Sequence, residues 1–137
     1  FPLCTLGYAP MTIPSPSKSR VLIVDDEATI RQFMIEVLSR FDFSPVPASD
    51  AAEALQILDR ETIDLVLLDL HMPGPADGED LLYLLRDRGD DIPIIIVSGW
   101  VDDDATREQP DCVHAVLKKP VAVETLLSTI RRVLEEA

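Results

Sequence analysis

Short apolar runs recur along this chain, and most are followed by a stretch whose apolar residues fall at helical spacing. RVLIV (20–24), IDLVLLDL (63–70), PIIIVS (93–98) and HAVLKK (114–119) have the length of strands, and β-branched side chains run through them. IDLVLLDL and PIIIVS are apolar at nearly every position, so both of their faces must be covered, as in the middle of a parallel sheet. FSPVPA (43–48) is strand-like as well, but Pro45 and Pro47 lack backbone donors, which confines it to a sheet edge.

Helical patterns fill the intervals. Ile30, Phe33, Met34, Val37 and Leu38 share one helix face. Ser49 or Asp50 caps a second helix with Ala51, Ala54, Leu55 and Leu58 inward. Leu81, Leu82 and Leu85 mark a third, and Leu126, Leu127, Ile130, Val133 and Leu134 mark the last. Arg131 and Arg132 lie near its C-terminus, where the dipole favours cations. GWVDDDATREQPDCV (99–113) breaks the rhythm: almost nothing apolar repeats, and Pro110 stops any helix after about two turns. A short or irregular fourth helix is expected there. Strand and helix alternating five times predict an α/β fold, a doubly wound five-stranded parallel sheet with helices on both faces. In such sheets the ligand site lies at the carboxyl ends of the strands, beside the topological switch point.

The 137 residues suit one domain. Residues 1–19 carry Pro2, Pro10, Pro14 and Pro16 with Ser15, Ser17 and Ser19, so a flexible tail or linker is expected before a globular domain over 20–137. Met11 is a candidate natural start. A net charge of −13 argues against a nucleic-acid-binding surface, which needs clustered Lys and Arg. The apolar runs fall far short of the roughly 20 residues a membrane helix needs. Cys4 and Cys112 form neither a metal-ligand cluster nor a disulfide framework. FPLCTLGYAP has no basic leader, so a cytoplasmic, reducing setting is expected.

The strand ends carry the chemistry. The first strand ends in Asp25-Asp26, the third in Asp69, the fourth in Ser98-Gly99 and the fifth in Lys119-Pro120. Three carboxylates on one rim cannot all stay ionised without a cation, and a hard, oxygen-seeking ion such as Mg²⁺ suits them. A carboxylate can attack a phosphoryl group, with metal, ammonium and hydroxyl neutralising the charge. Each residue alone has a plain explanation: Asp26 and Glu27 favour a helix start, Asp69 a turn, Ser98-Gly99 a strand end, and Lys118-Lys119-Pro120 a solvated loop. His71 and His114 lack a second ligand at metal spacing, and Trp100 suits loop packing. Four such coincidences on four strand ends are what shift the reading.

In this set the sequence resembles a response regulator receiver domain, the phosphoacceptor module of two-component signalling. VLIVDDE, LVLLDLHMPG…DG, IIIVSG and LKKP carry the resemblance, in the family's order, over residues 20 to about 136. It implies a flavodoxin-like, chemotaxis-type sheet of strand order 2-1-3-4-5, with Asp69 as the phosphorylated residue. Asp25 and Asp26 would hold Mg²⁺ (or Mn²⁺) together with Asp69 and the backbone carbonyl of His71. Asp26 would be the more direct ligand, and Asp25 would act partly through water. Ser98 and Lys119 would bind the phosphoryl oxygens. The implied donor is a phosphohistidine on a sensor histidine kinase or phosphotransfer domain. The effector would act in trans or lie on a segment outside this chain. The domain would catalyse its own phosphorylation and slow hydrolysis, without being an enzyme on a separate substrate.

Three departures qualify the match. Val116 stands where the family usually has Tyr or Phe, the fourth helix is truncated, and PGPADG is one residue longer than the usual loop. Signalling is therefore expected through 99–113 and the first or last helix. The SG-aromatic, short-helix pattern resembles receivers attached to hybrid sensor kinases. Two other functions compete: an interaction or dimerisation module that no longer uses the phosphoryl site, and an aspartyl-phosphate phosphatase, which would need an aspartate where His71 stands. Tyr83 and Leu84, off the inner face of the third helix, leave a homodimer open.

Overall fold

In a computed structural model of the chain, residues 18–69, 78–88, 91–99 and 113–136 are described. The elements run β1 (Ser19–Val24), α1 (Ala28–Arg40), β2 (Phe43–Ala48), α2 (Ala51–Arg60), β3 (Leu65–Leu68), α3 (Gly78–Asp87), β4 (Ile94–Ser98), β5 (Val113–Lys118) and α4 (Val123–Glu136). All strand pairs are parallel, and the sheet order is β2-β1-β3-β4-β5, the 2-1-3-4-5 order of a flavodoxin-like fold. β1 begins at Ser19, inside the stretch expected to be tail. The rest of that stretch up to residue 17, and the expected irregular helix between 100 and 112, lie outside the described residues.

Alternation along each central strand separates two cores. Leu22, Val24, Val66, Leu68, Ile94 and Ile96 face α2 and α3. Val21, Ile23, Leu65, Leu67, Ile95 and Val97 face α1 and α4. Each such side chain, taken fully out of water, contributes about 1.5–3 kcal/mol of transfer free energy. That is why a strand with no polar face belongs in the middle of the sheet.

β2 shows how an edge accommodates proline. The Ala48 carbonyl points toward β1, where it accepts the Asp25 N–H at 3.2 Å. With the two-residue period of a strand, Pro45 and Pro47 then face the open side, where no partner needs their missing donors. Asp42, at φ 68°, turns the chain from α1 into this strand, a left-handed position that aspartate tolerates.

The helices follow their expected stripes with two corrections. On α1 the buried residues are Met34, Val37 and Leu38, while Phe33 is 45% exposed. Phe33 sits about 100° around the helix from Met34, at the margin of the stripe. On α2 the buried residues are Ala51, Ala54 and Ile57, with Leu55 and Leu58 only partly covered. Asp50 caps α2 by accepting the Glu53 N–H at 2.8 Å, and the Glu53 carboxylate in turn accepts the Ser49 N–H at 2.6 Å, a variant of the capping box. Tyr83 and Leu84 are exposed, as expected. Among the described residues no helix is long and apolar enough to cross a membrane.

Candidate functional site

The site forms where β1 and β3 end side by side. Val24 pairs with Leu68, and the Asp69 N–H donates to the Val24 carbonyl at 3.0 Å, so Asp25 and Asp69 leave adjacent strands at the same level. Sheet order reverses direction here, between β1 and β3, which opens the crevice in which such folds bind ligands. Asp25 and Asp69 are buried and Asp26 is exposed at the lip. One oxygen from each of the three carboxylates lies within 4.8 Å of the others.

Asp25 is fixed from every side. Its N–H donates to Ala48 on β2, its Oδ1 accepts the Glu27 N–H at 2.9 Å, and its Oδ2 accepts Lys119 Nζ at 2.7 Å. Its main-chain carbonyl accepts Arg31 Nη1 at 2.6 Å. Lys119, one residue past the end of β5 and joined to Pro120 by a cis peptide, extends its ammonium across the rim. It also reaches Asp69 Oδ2 at 3.4 Å, with Glu27 Oε1 at 4.0 Å on the solvent side. Burial pulls the Lys119 ammonium down from its ordinary pKa. The hydrogen bond and charge of Asp25, joined by the charge and hydrogen bond of Asp69, outweigh that and leave it raised.

A divalent ion fits the donor set. Mg²⁺ holds oxygens at 2.0–2.1 Å, so opposite ligands of one octahedron stand about 4.1 Å apart. Oxygens within 4.8 Å of one another can share such an ion if one of them is bound through water or moves by under an ångström. All-oxygen, carboxylate-rich donors suit Mg²⁺ or Mn²⁺ rather than a thiolate-seeking metal.

Asp25, Asp26, Asp69 and Lys119 are thus brought together as their strand-end positions predict. Ser98 closes β4 in register with Lys118, on the same rim, but its side chain and all of His71 lie outside the described residues. Arg31 was not singled out by sequence reasoning; one helical turn beyond Glu27 is its only signal there. Beside the site a groove of about 520 Å³ opens between α1 and the start of α4, with Ile30, Phe33, Met34, Val121 and Leu126 as its apolar wall and Lys119 at its inner end.

A doubly wound parallel sheet with three acids and a lysine at its switch point is the arrangement of a flavodoxin-like α/β domain with a candidate cation site. Residues 21–131 match the family model of the response regulator receiver domain, and the chain belongs to that family, a component of two-component signalling. The response regulator MprA of Mycobacterium leprae is 35% identical over 119 residues, 84% of this chain and 50% of that protein. The chain therefore spans about half the length of the curated relatives that it matches first. A CheY-like receiver domain protein from Methanospirillum hungatei superposes with a TM-score of 0.80 at 27% identity, covering 87% of this chain and 95% of that one. The response regulator TrrA of Thermotoga maritima, solved in complex with Mg²⁺–BeF, gives 0.75 at 25% identity over 84% and 98% of the two chains.

Proposed function

We propose that this domain accepts a phosphoryl group on Asp69 from a phosphohistidine of a sensor histidine kinase or phosphotransfer domain, in a reaction that needs Mg²⁺ or Mn²⁺. The observation that carries the reading is the Lys119 ammonium held between Asp25 and Asp69, with Asp26 beside them. A Coulombic clamp of this kind is what phosphoryl transfer asks of a protein, since its catalysis is mainly positioning and charge neutralisation.

In this reading an Asp69 oxygen attacks phosphorus, an O–P bond forms, and the N–P bond to the donor imidazole breaks. The imidazole leaves with the bonding pair and takes up a proton. Lys119 pairs with the arriving phosphoryl oxygens, already being within 3.4 Å of the nucleophilic carboxylate. Ser98 donates its hydroxyl to another phosphoryl oxygen. Asp25 holds Lys119 in place, and Asp26, Asp69 and the His71 carbonyl would hold the ion, with Asp25 contributing through water. Bound there, Mg²⁺ supplies neutralisation of the phosphoryl oxygens. The apolar groove beside Lys119 would offer the donor domain a surface next to the site. Slow hydrolysis of the aspartyl phosphate resets the domain, and the effector acts in trans or lies on a segment beyond this chain.

A second reading is a receiver-fold interaction module without phosphoryl chemistry. It draws on Val116, which packs partly buried on the α2–α3 side where the family resemblance expects an aromatic ring. One experiment separates them: labelling by a small phosphodonor, wild type beside Asp69→Asn, with and without Mg²⁺. Label on wild type alone, and only with metal, is expected. Equal labelling of the variant overturns the assignment of Asp69, and no labelling of either protein favours the interaction module.

A further inference from the structure

We propose that Arg31 is a positioning residue for the metal-binding acids, acting through the peptide that joins Asp25 to Asp26. The inference rests on the Mg²⁺ reading above and concerns a residue that touches neither metal nor phosphoryl group.

The Asp25 side chain holds one part of the turn from β1 into α1, its Oδ1 accepting the Glu27 N–H at 2.9 Å. Glu27, the N-cap of α1, makes no side-chain cap hydrogen bond. Arg31 restrains the turn in a different way, as a donor to its backbone. Its own N–H donates to the Glu27 carbonyl at 3.0 Å, which seats it in the first turn of the helix. Its guanidinium reaches back six residues and donates to the Asp25 carbonyl at 2.6 Å. That carbonyl oxygen belongs to the peptide plane from which the Asp26 Cα hangs. Asp25 has its side chain and N–H anchored elsewhere, by Lys119, Glu27 and Ala48. Asp26 is exposed, so its aim toward the other two carboxylates depends on its backbone. Holding the Asp25 carbonyl removes rotation of that one plane, the motion that would swing Asp26 out of the cluster.

Outer residues that orient metal ligands typically account for 10–100-fold in metal affinity. Opposing this, a guanidinium near a cation site repels the cation, so charge alone predicts tighter binding when Arg31 is removed. The two effects differ in sign, which makes the experiment decisive. MgCl₂ titrations followed by two-dimensional NMR on wild type, Arg31→Met and Arg31→Lys measure affinity directly, and the unfolding midpoint without metal is measured in parallel. The expected result is about 10-fold weaker Mg²⁺ binding by Arg31→Met, the same ratio in low and high salt, and recovery to within about threefold in Arg31→Lys, whose amine can still donate to the carbonyl. Unchanged or tighter binding by Arg31→Met overturns the proposal. If Arg31→Met does not fold, Arg31→Ala, which also lacks a donor, takes its place under the same criteria. Failure of wild type to bind Mg²⁺ refutes the metal reading itself, a distinct outcome.

Discussion

Replacing Lys119 by Met keeps most of the alkyl stem and removes the charge that two buried acids share. The Asp25 and Asp69 side chains are 3% and 5% exposed, and that of Lys119 is 14% exposed. At 2.7 and 3.4 Å and an effective dielectric constant of about 20, the gross attractions are roughly 6 and 5 kcal/mol. Desolvation of the ammonium offsets much of that, and removing one member of a buried pair costs about 3–5 kcal/mol in practice. A loss of about 3 kcal/mol is expected, the low end of that range, because the Lys119 side chain keeps some contact with solvent. With a urea slope of about 1.5–2 kcal/mol/M, the unfolding midpoint falls by roughly 1.5–2 M. The assay is urea unfolding followed by circular dichroism in EDTA at pH 7.5, repeated in Mg²⁺. Mg²⁺ should restore the variant by more than it raises wild type. A variant midpoint within about 0.3 M of wild type in EDTA refutes the argument that these acids depend on the ammonium.

Two further predictions use the same unfolding measurement. The folded pKa of Lys119 lies above its unfolded value of about 10.4, so its contribution is complete below that value and is lost as pH climbs through the raised one. The wild-type midpoint should therefore drop in that alkaline range and the drop should be smaller in Asp25→Asn; identical alkaline profiles would contradict the pairing. Leu67, 1% exposed and paired with Ile23 and Ile95 in mid-sheet, should lose about 2–5 kcal/mol on change to Ala, whereas the half-exposed Phe33 should lose under about 1 kcal/mol. Similar losses at the two positions would show that α1 is rotated from the orientation described.

The sheet was legible in the chain because strands buried on both faces leave continuous apolar runs, and because Pro45 and Pro47 mark an edge by their chemistry. The acid-and-lysine rim was legible for a related reason. Once strand ends are assigned, parallel pairing places Asp25, Asp69 and Lys119 at one end of the sheet wherever they fall in sequence. Side-chain direction within a helix was less legible. Helical spacing alone puts Phe33 with Met34, yet packing centres the stripe on Met34, Val37 and Leu38 and leaves Phe33 at its margin. Ile57 took an inner place on α2 for the same reason, displacing Leu55 and Leu58 toward the rim. The Arg31 contact left no trace in composition or periodicity, because a side chain reaching a backbone carbonyl selects no residue type at the receiving end.

One divalent ion is expected to sit among Asp25, Asp26 and Asp69, directly on at least one of them. Crystals soaked in Mn²⁺ and measured at a wavelength sensitive to manganese locate that ion without reference to any assumed chemistry. A single strong anomalous peak among these three carboxylates, within direct bonding distance of at least one of them, is expected. Manganese bound elsewhere on this acidic surface, with none between Asp26 and Asp69, would contradict it.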